Sequence, residues 1–244
     1  MKITGIIPSR FASTRFPGKP LADIGGKPMI QRVYEQASKA SSLDQVIVAT
    51  DDQRIIECVL GFGGKVMMTN ESHRNGTERC GEVASEYPAD YYINIQGDEP
   101  FIHPEQIDTL AGILDGITEL GTLVKKVQDA SLLDNPNVMK VTFNAKGEAL
   151  YFSRSCIPFV RDHEAADWLE QHDFYKHIGI YAYRADILDE IIKLEASSLE
   201  LAESLEQLRW LENGYKIKVA KTEYESMGID TPEDVQNAVA QNLN

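Results

Sequence analysis

A basic loop follows the first apolar segment of the chain. Residues 3–8 (ITGIIP) are apolar, and the next stretch contains Arg10, Arg15, Gly18 and Lys19. The first 22 residues hold no carboxylate, although the whole chain has a formal net charge of -14. Arginine binds phosphate oxygens through paired hydrogen bonds, lysine supplies a compact charge, and glycine lets a ligand approach the backbone. We therefore expect a polyphosphate at this loop, the alternative being a solvated basic loop without a ligand.

A second candidate site follows the apolar segment YYINI (91–95). Gln96 and Gly97 come next, and Asp98 is the first carboxylate after the glycine. Mg²⁺ in proteins is commonly bound by one or two carboxylates together with phosphate and water oxygens. Asp98 is thus a candidate ligand, and Asp230 in MGIDTPED could face the same site. The simpler interpretations are a turn residue for Asp98 and a helix-capping residue for Asp230.

Two further groups of polar residues could contact a ligand. In the loop SHRNGTER (72–79), Arg74 and Asn75 could bind the edge of a nucleobase. His73 in that loop has no serine or cysteine nucleophile pattern around it and is more typical of a structural histidine. The second half of the chain carries five polar residues that together would suit the binding of an acidic sugar. Each of them alone could equally be a surface residue. They are Arg154, His177, Tyr183, Glu206 and Gln207.

The elements that position these residues follow an alternating pattern in the first half. Short apolar segments predict buried strands at 3–8, 45–50, 65–69 and 91–95. Amphipathic segments predict helices at 27–40, 51–64, 77–87 and 103–116. This order is typical of an α/β fold with a doubly wound, mostly parallel central sheet. Ligands bind such sheets beyond the carboxyl ends of the strands, where the basic loop and Asp98 are both expected.

After about residue 120 the pattern changes. A hairpin is predicted at 138–152, and further strands at 177–184 and 215–221. Helices are predicted at 184–194, 200–213 and 231–241. We interpret the chain as one α/β domain, 1–244, with a β-rich insertion in its second half.

Composition excludes several classes of protein. The 244 residues are 43% hydrophobic and give a pI near 4.8, which argues against a nucleic-acid coat or binding to anionic membranes. Three separated cysteines form neither a disulfide framework nor a zinc site. We find neither a stretch of the ~20 apolar residues that span a bilayer nor a signal peptide. Since the Walker and GxGxxG patterns are also missing, a P-loop ATPase and a dinucleotide-dependent dehydrogenase are disfavoured. The expectation is a cytoplasmic protein without nucleic-acid partners or membrane insertion.

Several motifs, in order and nearly end to end, resemble those of the CMP-Kdo synthetases, the 3-deoxy-manno-octulosonate (Kdo) cytidylyltransferases. They are IIPSRFASTRFPGKPLADIGGKPMI, ATDD, HRNGTER, INIQGDEP, YFSRSCIPF, HIGIYAYR, LEQLRWL and GIDTPEDV. The resemblance implies a Rossmann-like nucleotidyltransferase fold, a homodimer, and transfer of CMP from CTP to Kdo with release of pyrophosphate, for lipopolysaccharide biosynthesis. It also implies a nucleotide-binding half (1–120), a sugar-binding and dimerisation half (121–227) and a C-terminal metal-ligand turn and helix (228–244).

The resemblance assigns roles to individual residues. Arg10 and Lys19 would hold the triphosphate and act in catalysis, and Asp98 and Asp230 would bind Mg²⁺. The remaining nucleotide-binding residues would be Arg15, Arg74, Asn75 and Gln96, and the sugar-binding residues Arg154, His177, Tyr183, Glu206 and Gln207. Two positions depart from the family pattern: Ser9 replaces an alanine, and Asn75 stands where serine is common. Alternative functions are the same transfer to the 8-amino analogue of Kdo or to sialic acid, and a non-catalytic nucleotide-sugar binding module.

Overall fold

The structure is a computed structural model that describes residues 1–12, 16–225 and 228–242. Its strands are β1 (Ile3–Ser9), β2 (Gln45–Thr50), β3 (Val66–Met68), β4 (Tyr91–Asn94), β5 (Leu120–Lys126), β6 (Lys140–Phe143), β7 (Ala149–Ser153), β8 (Tyr175–Arg184) and β9 (Ile217–Lys221). Its α-helices are α1 (Met29–Ala37), α2 (Gln53–Gly61), α3 (Gly76–Glu86), α4 (Pro104–Ala111), α5 (Trp168–Gln171), α6 (Ala185–Ile191), α7 (Ser198–Glu203), α8 (Gln207–Glu212) and α9 (Pro232–Asn242). Short 3₁₀ helices occur at Lys19–Leu21, Ala130–Leu132 and Ala165–Asp167.

One sheet organises these strands, in the order β3-β2-β1-β4-β8-β5-β9. The pairs β1–β2, β1–β4, β2–β3 and β5–β9 are parallel, while β8 runs antiparallel to both β4 and β5. The predicted α/β class with a mostly parallel central sheet is confirmed.

The second half differs in detail from the prediction. Among the described strands, β5, β8 and β9 extend the same sheet, and the hairpin β6–β7 leaves its main path. Strand β5 was not predicted, although the turn-forming pair Asp115-Gly116 stands shortly before it. The predicted helix at 200–213 is two short helices, since Ser204 adopts a left-handed conformation (φ 52°) between them.

Helices pack on both faces of the sheet because the central strands are apolar on both faces. In β1, Ile7 lies in the cluster with residues of α1, α2 and α4, whereas its neighbour Ile6 lies in the cluster with residues of α3, α6 and α8. All four residues of β4 are buried, as expected for a central strand. The carboxyl ends of β1 and β4 are thereby held side by side by a rigid core.

Strand β8 contains a bulge near its middle. Thr122 of β5 pairs with Tyr181, but the next residue, Leu123, pairs with Ile178. The Thr122 hydroxyl bonds to the carbonyls of Ile178 and Ile180, at 3.3 and 2.7 Å, and so closes the irregular segment. A bulge redirects side chains locally and is frequent beside functional sites.

Candidate functional site

Lys19 joins the two predicted metal ligands. Its Nζ lies 2.8 Å from Asp98 Oδ2 and 3.3 Å from Asp230 Oδ1, and it also donates to the Ile229 carbonyl at 2.9 Å. The backbone N–H of Ile229 donates to the Asp98 carbonyl at 2.9 Å, which fixes the C-terminal segment against the end of β4. Two carboxylates that are 132 positions apart in sequence therefore share one cationic partner.

Beside this cluster lies a cavity of about 180 Å³ at the end of β1. Pro8, Arg10, Lys19, Gln96 and Asp98 are among the residues that line it. One terminal nitrogen of Arg10 (Nη2) is buried and has no hydrogen-bond partner among the described atoms. A buried guanidinium nitrogen without an acceptor is a strong potential donor to an anion. The cavity is thus suited to phosphate oxygens.

Gly97 is required by the close packing at this cavity. A Cβ at this position would lie 2.7 Å from the Pro8 carbonyl oxygen, which belongs to the backbone of β1 and cannot rotate away. Arg15, the remaining predicted cation of the loop, lies outside the described residues.

A second group of polar side chains lies at the start of α3. Asn75 caps this helix, since its side chain accepts a bond from the Glu78 N–H at 2.9 Å. The Asn75 amide donates to Glu206 at 2.9 Å, and the Thr77 hydroxyl donates to the other Glu206 oxygen at 3.0 Å. Thr77 also contacts the Tyr183 hydroxyl at 3.3 Å. The predicted nucleotide-binding loop and two of the predicted sugar-binding residues, Tyr183 and Glu206, are thereby parts of one hydrogen-bonded network.

Asn94 extends this network to the central strand. Its amide donates to the Tyr183 hydroxyl at 3.1 Å, while its Oδ1 is buried and has no described partner. A Cβ placed on Gly76 would lie 3.4 Å from Pro8 and 3.5 Å from Asn94, so the start of α3 packs directly on the ends of β1 and β4. The network and the phosphate cavity consequently share the Pro8 end of β1.

Burial shifts the ionisable groups of this network towards their neutral forms. It raises the pKa of the Glu206 carboxyl, against the lowering effect of the Thr77 hydroxyl and of Arg209. It also raises the pKa of Tyr183 far above its ordinary value. In His177, burial lowers the pKa to about 3, so the imidazole is neutral at physiological pH.

His177 and Gln96 place the bulged strand β8 next to the site. His177 Nε2 lies 3.0 Å from the Thr122 hydroxyl, while Nδ1 is buried without a described partner. Its ring is 5.2 Å from the ring of Tyr181, whose hydroxyl is also buried and unpartnered within the described chain. Gln96 donates to the Gly179 carbonyl at 2.7 Å and so links the Asp98 turn to the bulge.

Arg154 and Arg74 have different surroundings. Arg154 donates to the carbonyls of Glu203 and Pro136, at 2.7 and 2.9 Å, and lies at the end of β7. Arg74 is exposed, and its Nε lies 2.6 Å from Glu78 Oε1. It lines an open groove with His73 that is separate from the phosphate cavity. Its predicted contact with the nucleobase stays a prediction.

Some residues of the site were missed by sequence reasoning. Thr77 and Asn94 carry polar atoms into the network, and Tyr181 places its ring 5.2 Å from that of His177, although none of the three was a candidate. Asn94 had a usable signal, because a polar residue that ends an otherwise apolar strand points to the ligand edge. Gln207, a predicted sugar ligand, is buried at the start of α8 beside Glu206.

Comparison with known proteins identifies the family. The model of the cytidylyltransferase family matches residues 4–217. The chain belongs to the cytidylyltransferase family. Two relatives are called 3-deoxy-manno-octulosonate cytidylyltransferase. The one from Parabacteroides distasonis is 59% identical to this chain and covers 98% of both chains. The one from Cytophaga hutchinsonii is 58% identical, over 96% of this chain and 95% of the relative. The predicted resemblance to this group is confirmed.

Solved structures agree with this assignment. CMP:2-keto-3-deoxy-manno-octonic acid synthetase complexed with CTP superposes with a TM-score of 0.93 at 43% identity, covering 99% of this chain and 98% of that one. The 4-diphosphocytidyl-2C-methyl-D-erythritol synthase of Anaerococcus prevotii has a TM-score of 0.64 at 17% identity over 100% of this chain and 96% of its own, which shows a shared fold.

The chemistry of the Asp98 cluster fits a magnesium ion. Three oxygens, from Asp98, Asp230 and the Ile229 carbonyl, surround one positive charge, the Lys19 ammonium. Oxygen donors with two carboxylates are what Mg²⁺ prefers when phosphates complete its coordination. Within the described ranges, no group of three or more His, Cys, Asp or Glu side chains could hold a metal ion. None of the described helices is both long and apolar enough to span a membrane.

Proposed function

We propose that this cytidylyltransferase transfers CMP from CTP to Kdo, giving CMP-Kdo and pyrophosphate for lipopolysaccharide biosynthesis. The observation that carries the proposal is the convergence of Asp98 and Asp230 on Lys19, next to a buried nitrogen of Arg10 that has no partner among the described residues. A polyphosphate with a divalent cation satisfies both features at once. The names of the relatives, at up to 59% identity, support CTP and Kdo as the substrates.

The reaction joins two anions, which repel each other, and the cations of the site would reduce this repulsion. The anomeric hydroxyl of the sugar attacks the α-phosphorus, a new O–P bond forms, and the bond from that phosphorus to the pyrophosphate oxygen breaks. Arg10 and Lys19 would donate to the phosphate oxygens and stabilise the charge that develops on the departing pyrophosphate. No covalent enzyme intermediate is needed.

We assign the metal site to Asp98 and Asp230. Bound magnesium would neutralise phosphate charge and lower the pKa of a nearby hydroxyl, so that a dedicated base is not required. The carboxylates would hold the metal at the ends of β1 and β4. In that state Lys19 would bind phosphate oxygens in place of the two carboxylates.

The remaining residues would recognise the base and the sugar. Asn75, Arg74 and Gln96 are assigned to the nucleotide, and the second-half set to the sugar acid. Because burial keeps His177 neutral, it would act as a hydrogen-bonding group, and Arg154 is the cation that would pair with the sugar carboxylate. Glu206 and Tyr183 would present fixed oxygens to the sugar hydroxyls.

A pyrophosphate-release assay tests the function. With Mg²⁺ present, CTP and Kdo should give the highest kcat/KM in a panel that includes the 8-amino analogue of Kdo and sialic acid, and ATP and GTP should be poor donors. Equal turnover with purine triphosphates would remove the base-reading role of the 72–79 loop. Binding of CTP and Kdo without any turnover would instead favour a non-catalytic module.

We further propose a cytoplasmic homodimer. Leu150 and Phe159 of the second half are 60% and 75% exposed, and their burial in a subunit contact would stabilise a dimer. Sedimentation equilibrium should give twice the mass of the 27.3 kDa chain.

A further inference from the structure

Lys140 is a fully buried lysine. It lies in the hairpin strand β6, and its side chain is 0% exposed. Its ammonium donates to the carbonyls of Asn135 and Arg154, at 2.9 and 2.7 Å. Burying a charged group is unfavourable, and burial lowers the pKa of Lys140, although the charges of Asp134 and Glu203 oppose this shift. Such a residue is expected to have a role beyond filling space.

Strand β6 connects the two strands that carry predicted sugar ligands. On one side Lys140 pairs in register with Ser153 of β7, directly before Arg154. On the other side it pairs with Lys176 of β8, and the N–H of His177 donates to the Met139 carbonyl at 2.8 Å. Lys140 is therefore next to the backbone of both Arg154 and His177.

Arg154 keeps hydrogen-bonding capacity for a ligand. Its guanidinium donates to the carbonyls of Glu203, Pro136 and Ser204, the last at 3.4 Å. An arginine has five N–H donors, so two remain beyond these three bonds. The nearby Glu203 carboxylate accepts from the Ser153 hydroxyl and from the Arg154 backbone N–H, at 2.7 and 3.0 Å, and not from the guanidinium. The junction of β6 and β7 thus holds two cations whose side-chain hydrogen bonds within the described chain all go to carbonyl oxygens.

We propose that Lys140 is the positioning residue of the sugar-acid site, holding the Arg154 carbonyl so that the guanidinium is preorganised for the substrate carboxylate. The inference rests on the proposed function, because it takes Arg154 as the group that binds the acid. Lys140 itself does not touch the substrate. Its loss should weaken the binding of the sugar and leave the binding of the nucleotide unchanged.

The test is a comparison of Lys140→Met and Lys140→Gln. The methionine variant keeps the length of the side chain but cannot donate, and it should raise the KM for Kdo by about tenfold, since small misplacements of a binding group cost up to ~10²-fold. The KM for CTP should stay within about twofold, because the nucleotide site lies on other strands. The glutamine variant can still donate to a carbonyl and should recover part of the loss. Lys125→Met on β5 is the matched control, since the ammonium of Lys125 pairs with Glu225.

A double mutant separates positioning from general stability. If Lys140 acts through Arg154, adding Lys140→Met to Arg154→Ala should change the KM for Kdo little further. An unchanged KM for Kdo in both Lys140 variants, or equal additive losses in the double mutant, would overturn the proposal. If the methionine variant does not fold, the glutamine variant alone decides, by the same KM comparison. Lack of turnover of Kdo by the unmodified protein would instead contradict the proposed function.

Discussion

The two halves of the site are built on different physical principles. The first half is an ion-pair cluster, in which Lys19, Asp98 and Asp230 have side chains that are 15%, 33% and 46% exposed. The second half is a hydrogen-bonded network in which Tyr183 is fully buried and Glu206 partly buried, and burial favours the neutral forms of both groups. Charges near water can exchange one partner for another at low cost, whereas a buried network is fixed in shape. This difference suits a charged polyphosphate with its metal in one half and a specific sugar in the other.

The largest expected effect is in the ion-pair cluster. Asp98→Asn or Asp230→Asn removes one charge with little change of shape, and should lower kcat by ~10²-fold or more, because preorganised charge is lost from the transition state. Since both residues are assigned to one ion, the double mutant should be little worse than the worse single mutant. Steady-state kinetics at saturating Mg²⁺ measure this effect.

Stability should change little in these aspartate variants. The two carboxylates are partly exposed, and surface ion pairs contribute only ~0–1 kcal/mol. Asp173→Asn is the control, because that carboxylate is 57% exposed and pairs with Lys126. Near-normal kcat in Asp230→Asn would exclude a shared metal and leave Asp230 as a residue flanking α9.

A tight backbone contact supports the same half. In Gly97→Ala the new Cβ would press on the Pro8 carbonyl, and forced overpacking of this kind typically costs about 1–3 kcal/mol. We expect a lower melting temperature together with a higher KM for CTP, because the displaced backbone lines the phosphate cavity. Gly61→Ala is the control: no atom lies within 4 Å of the added Cβ at the end of α2, so stability should be unchanged or improved. An unaltered KM for CTP in Gly97→Ala would show that the cavity does not bind the triphosphate.

The first half of the site was predictable because its signals are local. Asp98 follows a buried apolar strand directly, and the carboxyl ends of parallel strands lie at one edge of a sheet, so its proximity to the Lys19 loop followed from the fold class. The shared position of Asp230 also followed, since it ends a short apolar step before a capped helix. Six of the seven main-path strands were predicted for the same reason: apolar runs bounded by polar turns.

The second half was less predictable because it depends on tertiary packing. Thr77 becomes a site residue only where α3, β4 and β8 come together, and nothing in its neighbouring sequence indicates this. The bulge in β8 likewise depends on how β5 pairs with it. Sequence motifs indicated Tyr183 and Glu206 as sugar ligands. They did not indicate how far each side chain is buried or which groups it bonds to.

The pH dependence of stability probes the buried half. His177 has a pKa of about 3 when folded, against 6.5 as its ordinary value, so at low pH the unfolded chain binds a proton that the folded chain does not. Stability from this group is therefore present above pH 6.5 and is lost as the pH falls towards 3. Between pH 7 and pH 5 the loss should be about 2 kcal/mol. Urea unfolding of the unmodified protein and of His177→Asn measures it, and the variant should show the smaller decrease.

Two features make this comparison specific. The exposed His163 provides the control variant His163→Asn, which should keep the pH dependence of the unmodified protein. Measurements above pH 5 avoid the range in which carboxyls with a lowered pKa, such as Glu78 and Glu82, take up protons. An identical decrease in His177→Asn and in the unmodified protein would mean that the folded protein binds a proton at His177.

The smallest effect concerns Asn75, whose side chain makes two different contacts. It caps α3, and it also donates to Glu206. Asn75→Ala should lower the free energy of unfolding by about 1 kcal/mol through loss of the cap. It should also raise the KM for CTP, because the residue is assigned to the nucleotide. Asp52→Ala removes the equivalent cap of α2 and should cost a similar amount of stability while leaving both KM values unchanged.

Asn75→Ser separates the cap from the contact with Glu206. Serine is an equally good N-cap residue, so the stability of the helix should be kept. The serine hydroxyl is shorter than the asparagine amide, so it cannot cap α3 and also reach Glu206. The Thr77 hydroxyl would then remain as the donor from this loop to the Glu206 carboxylate. If Asn75 links nucleotide to sugar, the serine variant should weaken the effect of bound CTP on the affinity for Kdo, measured by calorimetry with and without a non-reactive CTP analogue. Unchanged coupling would mean that the two halves of the site recognise their substrates independently, and that Asn75 acts only as a helix cap.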